Sequence, residues 1–157
     1  MATSDNQKRE RARRSREFLE RLKHRYPECF SNDASLIRPL AIGIQKTIRE
    51  DLASDSELAD TPGWVVRQAL ALYTRSPAYL EATLARRPRV NLDGSDAGEI
   101  TDEAAEFARE RREEQKKRQA ERRKQAARAR NRKPAKPSAD QVRQEKLEQL
   151  AAKFNNQ

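Results

Sequence analysis

Apolar side chains recur every three or four positions along much of the chain, which is the spacing of one face of an α-helix. The narrowest of these stripes consists of Leu40, Ile44, Ile48 and Leu52. The spacing predicts helices over residues 7–26, 40–53, 62–74 and 77–85, with a further short helix after residue 138. The pattern therefore favours a mainly α-helical chain.

Start signals support these bounds. The dipeptides Thr61-Pro62 and Ser76-Pro77 each combine an N-cap hydroxyl with a proline at the first helical position. Ser138 begins a capping-box pattern at the start of the last helix. The apolar stripe of that helix is short and consists of Leu147, Leu150 and Phe154.

The helical spacing is interrupted around residues 88–100. Residues 90–92 alternate in polarity, Asp93-Gly94 is a turn dipeptide, and residues 98–100 can return as a strand. We therefore predict a small β-hairpin, so that the expected fold class is mainly α with a small β-hairpin.

A long polar stretch follows. Thr101 is placed to cap a helix that continues to about Arg130 and has few apolar side chains other than alanine. It lacks the heptads of large apolar residues that a coiled coil needs, so a solvated single helix is expected. A basic linker with prolines covers residues 131–137.

Charge is distributed unevenly along the 157 residues, of which 38% are charged and 5% aromatic. The net charge of +9 divides into +5 for residues 1–25, −5 for 26–104, +9 for 105–136 and zero for 137–157. Basic arms of this kind favour polyanions, because neutralised phosphates release condensed counterions. Neither arm has the broad apolar face of an interfacial helix, so nucleic acid is the preferred partner and no membrane contact is expected.

The inventory of reactive side chains argues against an enzyme. His24 is the single histidine and Cys29 the single cysteine, and no Gly-rich phosphate loop or nucleophile motif is present. We expect no catalytic residue, no metal site, no cofactor and no small-molecule substrate. With neither a secretory signal nor an apolar span, a cytoplasmic location is expected.

Two candidate contacts lie on the 62–74 helix and just beyond it. Arg67 follows Val66, so its side chain either extends to solvent for a ligand or pairs with Glu57 or Asp60. The alternative for Tyr73 is a core position in which its hydroxyl bonds a carbonyl group. The hydroxyl-rich end of this helix consists of Tyr73, Thr74 and Ser76.

Two further candidates are basic segments. Arg86, Arg87 and Arg89 are dense in a turn region, and residues 109–133 form the basic helix. Solvated charge is the alternative interpretation for both.

Five segments, in this order and spacing, resemble the ProQ/FinO family of bacterial RNA-binding proteins and RNA chaperones. They are residues 26–30, 38–44, 66–74, 79–80 and 89–94, and the resemblance extends over about residues 14–125. It implies a mostly α-helical domain with a basic strip for duplex RNA and a pocket for the RNA 3′ end. The chain resembles a minimal form without the C-terminal β domain of longer relatives.

The resemblance also implies which residues contact RNA. Arg67 and Arg89 would hold phosphates, whereas Tyr73, Thr74 and Ser76 would line the 3′-end pocket. The predicted RNA-binding set is completed by Arg38, Arg86 and Arg87. Many relatives have basic residues where this chain has Ala41 and Ala71, which predicts a weaker grip by the core domain, with the basic arms compensating.

The predicted organisation has four parts: a flexible basic arm over 1–13, a ProQ/FinO-like domain over 14–108, a basic helix and linker over 109–137, and a short helix over 138–157. The resemblance implies a monomeric chaperone that binds small regulatory RNAs and mRNA 3′ ends, especially terminator hairpins with 3′ tails, and promotes their pairing. Two alternatives stay open, an adaptor that docks through its charged C-terminal helices and a nonspecific nucleic-acid binder.

Overall fold

The computed structural model describes residues 2–132 and 137–155 and is mainly helical. Its helices are α1 (Ala2–Arg25), α2 (Ile44–Leu52), α3 (Gly63–Thr74), α4 (Pro77–Leu84), α5 (Asp102–Asn131) and α6 (Ala139–Phe154). The chain divides into two compact units, one ending at Lys117 and the other beginning at Arg118. No helix in the described part of the chain is both long enough and apolar enough to cross a membrane.

The core of the first unit lies where α1 packs against α3 and α2 packs beside α3. Each of these helices contributes an apolar stripe, as the sequence predicts. The largest fully buried apolar side chains include Leu22, Phe30, Ile48, Val66 and Val90. Burial of such stripes is the main source of helix stability in a chain this polar.

The helix predicted from residue 40 begins only at Ile44. Leu40 is instead held in an extended bridge parallel to Val90, and the Ala41 N–H donates to the Val90 carbonyl at 2.9 Å. Gly43 then turns the chain with a φ of 80°, a conformation that suits glycine, before α2 starts. The prediction was wrong here because Leu40 keeps helical spacing while its backbone pairs with a segment 50 residues away.

The predicted β-hairpin is not confirmed. Val90 forms isolated bridges with Leu40 and Asp96, and no regular strand is formed within the described residues. The return segment pairs through Ala97, whose N–H donates to the Arg89 carbonyl at 2.7 Å, so the pairing does not involve the predicted residues 98–100 alone. Gly94 and Gly98 both have positive φ values, which bend the return segment and limit the ladder.

The N-caps follow the sequence signals with one exception. Ser76 accepts the Tyr79 N–H at 3.3 Å, Thr101 accepts the Ala104 N–H at 3.2 Å, and Ser138 forms both halves of its capping box. The exception is α3, in which Pro62 is the N-cap and no side chain caps the helix. Thr61 was predicted for that role, but its N–H closes a turn onto the Leu58 carbonyl, one residue before the cap.

The second unit contains the end of α5 and all of α6. Residues 118–131 are exposed along the whole length of this part of α5. The solvated helix predicted from the sequence is therefore present only after the first unit, because Ala108 is buried and Arg112 pairs with Glu81. α6 has no buried residue, and its stripe is exposed at Leu147, Leu150 and Phe154.

Candidate nucleic-acid interface

Arg89 lies in the loop after α4 and carries one of the buried polar atoms that lack a partner in the described part of the first unit. Its Nη1 donates to the Leu40 carbonyl at 2.9 Å, but its Nε–H is buried and has no hydrogen-bond partner within the described residues. The backbone of Arg89 is fixed from both sides by Gly98 and Ala97. A buried donor without an acceptor is unfavourable, so this N–H would gain free energy from any acceptor that could reach it.

Tyr79 binds the same backbone residue as Arg89, and the residues around Leu40 are called the 3′-end corner below. Its hydroxyl oxygen accepts the Leu40 N–H at 2.8 Å, so Tyr79 and Arg89 bind the two backbone groups of the same residue. Burial raises the pKa of Tyr79, while the Leu40 N–H and the positive charge of Arg89 act in the opposite direction. The phenol therefore stays neutral at physiological pH.

Tyr79 was not among the predicted site residues. The sequence analysis placed it only in the helix over residues 77–85. The sequence signal that could have identified Tyr79 as a site residue was its position in the segment 79–80, which resembles the ProQ/FinO family. Its hydroxyl binds the Leu40 N–H because Leu40 lies outside α2, which a helical spacing rule does not predict.

Tyr73 is a buried core residue, with 4% of its surface exposed. Its ring packs edge-on against Phe30 and Tyr79, with centroids 5.0 and 5.6 Å away. Its hydroxyl accepts the Ser31 N–H at 3.2 Å. The partner of the Tyr73 hydroxyl is therefore a backbone N–H, whereas the alternative interpretation of Tyr73 as a core residue predicted a carbonyl. The phenolic proton is not used in this hydrogen bond.

The two other predicted hydroxyls serve the helix ends. Thr74 donates to the Leu70 carbonyl at 2.9 Å, and Ser76 donates to the Tyr73 carbonyl at 2.8 Å. Because their protons are engaged, both hydroxyls can accept a hydrogen bond from a ligand more readily than they can donate one. A ribose hydroxyl suits them better than a phosphate oxygen.

The remaining predicted arginines differ in what they bind. Arg67 is exposed on α3, and its alternative ion pair with Glu57 or Asp60 is not formed within residues 2–132 and 137–155. Arg86 pairs with Asp102, the first residue of α5.

Arg87 and Arg38 instead join separate backbone segments. Arg87 Nη1 donates to the carbonyls of Ala34, Ser35 and Ile37 at 3.3, 2.7 and 2.9 Å. Arg38 donates to the carbonyls of Pro88, Arg89 and Gly94 and to the carboxylate of Asp96. These arginines hold the loop that carries Arg89 in place.

Through Tyr79 the structure brings together three of the eight predicted residues, Tyr73, Ser76 and Arg89. Arg89 supplies a positive charge here, and Ser76 supplies a hydroxyl oxygen that can accept a hydrogen bond. The site is therefore suited to a group that combines negative charge with a hydroxyl.

Comparison with known proteins gives a consistent assignment. A family model described as the ProQ/FINO family matches residues 12–125, which include all eight predicted residues. The solution structure of a ProQ homologue from Legionella pneumophila is 27% identical with a TM-score of 0.52, over 64% of this chain and 81% of that one. A crystal structure of a FinO-like RNA chaperone from Neisseria meningitidis is 22% identical with a TM-score of 0.49, over 62% of this chain and 92% of that one.

Proposed function

This chain belongs to the ProQ/FINO family, and on that premise we propose that it is an RNA chaperone that binds structured RNA at its 3′ end. Its ligands would be small regulatory RNAs and mRNA 3′ ends, in particular terminator hairpins that end in a single-stranded tail. The observation that carries the proposal is the buried Nε–H of Arg89, which has no hydrogen-bond partner within the described residues and lies in a guanidinium that shares the Leu40 backbone with Tyr79.

The terminal nucleotide of an RNA offers a phosphate that can accept hydrogen bonds and ribose hydroxyls that can donate them. A phosphate oxygen can accept a charge-assisted hydrogen bond from the guanidinium of Arg89. The terminal ribose hydroxyls can donate to Ser76 or Thr74, whose own protons are engaged. A chain end alone presents a phosphate and a free 3′ hydroxyl together, which favours a 3′ tail over an internal segment.

The duplex part of the ligand would be held by exposed cations. A-form RNA is recognised mostly by its shape, its phosphates and its 2′ hydroxyls, so arginines suffice and base-reading side chains are not needed. Arg67 is exposed on α3 for such a contact, and the basic stretch of α5 supplies more.

The test compares one terminator hairpin with and without its 3′ tail, bound to the wild type, Arg89→Gln and Arg89→Lys at physiological salt. We expect the wild type to prefer the tailed RNA and Arg89→Gln to lose about tenfold or more of its affinity for it, because a charge-assisted hydrogen bond is lost. Arg89→Lys keeps the charge without the Nε–H, so an intermediate loss is expected.

Arg16→Gln is the matched control, since it removes one positive charge from the exposed side of α1. Tyr73→Ala is a poorer test because it would leave a cavity in the core. Equal affinity for both RNAs and for duplex DNA would leave only a nonspecific polyanion binder. An adaptor would bind neither RNA and would tolerate Arg67→Ala.

A further inference from the structure

Trp64, in the first turn of α3, is covered by two guanidinium groups from α1. The Cζ atom of Arg11 lies 5.0 Å from the centroid of the indole ring, and that of Arg14 lies 5.6 Å away. Guanidinium groups at this distance are attracted to the face of an indole. Two cations are therefore held together, although like charges repel.

The packing of α1 against α3 fixes this arrangement. Ser15 is completely buried between the helices, and its hydroxyl contacts the Arg11 carbonyl at 2.9 Å and the Gln68 side chain at 3.2 Å. The small side chain lets the two helices approach each other. Arg11 and Arg14 therefore reach Trp64 from helical positions of α1.

The hydrogen-bonding edges of both guanidinium groups remain available. A cation–π contact holds a guanidinium by its charge, and the group carries five N–H donors that can also bind a ligand. Neither Arg11 nor Arg14 donates a hydrogen bond or forms a close ion pair among the described residues, in contrast to Arg38 and Arg87. Arg14 does lie near enough to Glu10 for its charge to help lower the pKa of that carboxyl. Glu57 and Asp60 line a surface cavity of about 280 Å³ together with Arg14, but do not pair with it there.

A third arginine of this surface lies next to Trp64 along α3. Arg67 is one turn after Trp64 on α3, exposed and without an ion pair in the part of the chain that the structure describes. Residues three apart on a helix are neighbours on its surface. The cluster is thus continuous with a residue that the proposed function assigns to RNA.

We propose that Arg11, Arg14, Trp64 and Arg67 form a second RNA-binding surface, a clamp for the phosphates of the ligand's backbone. The inference rests on the proposed RNA-binding function and adds a contact outside the 3′-end corner. Planar guanidinium groups bind phosphate through two parallel hydrogen bonds. Because the indole already orders two of them, less side-chain entropy is lost on binding. Continuity with Arg67 favours RNA over an acidic protein as the occupant.

The test uses two double variants of the full chain that each remove two positive charges from α1. Arg11→Gln/Arg14→Gln removes the groups on Trp64, and Arg9→Gln/Arg16→Gln removes exposed arginines that the helical repeat places on the opposite face. Binding of the tailed hairpin is measured over a range of salt concentrations. Trp64 is the chain's single tryptophan, so its fluorescence reports on the surface directly.

We expect RNA to change the Trp64 emission of the wild type. Arg11→Gln/Arg14→Gln should lower the affinity about tenfold and reduce the salt dependence by about two ions, because each phosphate contact releases about one counterion. The preference for the 3′ tail should persist, and the opposite-face variant should stay within about twofold of the wild type, as expected for charges far from a contact. Arg11→Lys/Arg14→Lys, which retains charge and helix, should keep most of the salt dependence and lose affinity.

Other outcomes separate the two proposals. If the wild type binds the tailed hairpin while Trp64 emission is unchanged, or if both glutamine variants lose affinity equally, the clamp is wrong and the 3′-end proposal stands. If the wild type shows no RNA binding, the proposed function itself fails. A response of Trp64 to polyglutamate but not to RNA would assign the surface to an acidic protein and overturn the clamp.

Discussion

At the scale of single residues, the role of each arginine depends on which of its N–H groups are already bonded. Arg38 and Arg87 bind backbone carbonyls, whereas Arg89 has an unpartnered Nε–H within the described residues. Arg86 is held in the left-handed region at a φ of 54°, which is unusual for a residue with a side chain. Adjacent arginines with the same charge thus differ in what they contribute to stability and to binding.

Replacing Arg86 or Arg87 by glycine should change the free energy of unfolding in opposite directions. Arg86→Gly should raise the free energy of unfolding by about 0.5 kcal/mol, because relief of left-handed strain exceeds the added flexibility of glycine in the unfolded chain. Arg87→Gly should lower it by about 2 kcal/mol, since three carbonyls lose a shared donor. Urea denaturation measures both, and a loss for Arg86→Gly would contradict the strain argument.

At the scale of elements, the ends of the helices combine structural and binding roles. Ser76 caps α4 through the Tyr79 N–H, and this cap positions Tyr79 at the Leu40 backbone. The bend before α2 brings Leu40 to Val90 and leaves the start of α2 uncapped by any side chain. The candidate site is therefore built from helix termini, where backbone groups have no partner inside the helix.

Two substitutions of Ser76 distinguish its role as the N-cap of α4 from its proposed role in binding RNA. Ser76→Ala should lower the free energy of unfolding by about 1 kcal/mol through loss of the cap. Ser76→Asp retains an acceptor for the Tyr79 N–H, so its stability should stay within about 0.5 kcal/mol of the wild type. Its negative charge should nevertheless weaken binding of the tailed hairpin. Unchanged RNA affinity in Ser76→Asp would place Ser76 outside the site.

At the scale of the whole molecule, the chain combines a packed unit with a solvated one. Arg112 pairs with Glu81 at 2.6 Å and Gln115 donates to the Arg75 carbonyl at 2.7 Å, so the first part of α5 belongs to the packed unit. Residues 118–131 are exposed and strongly basic. We propose that this second unit supports strand exchange by screening repulsion between RNA strands, while the first unit binds the hairpin.

Deletion of residues 118–157 tests this division. The variant should keep the preference for the tailed hairpin and lose most of its strand-exchange rate, because the contacts of Arg112 and Gln115 remain. Deletion of residues 138–157 is the matched control, since this segment has no net charge, and it should leave the exchange rate unchanged. An exchange rate that survives the longer deletion would place the activity in the first unit.

The sequence by itself determined the helices, most of their caps, the basic arms and the family, because these depend on local spacing and composition. The start of α2, the bridges of Val90 and the role of Tyr79 were decided only by the tertiary structure. The physical reason is that Leu40 bonds to residues 39 to 50 positions away, and no local pattern records such partners. The same holds for the arginines, since side chains of one charge become structural or available only according to the carbonyls that folding brings to them.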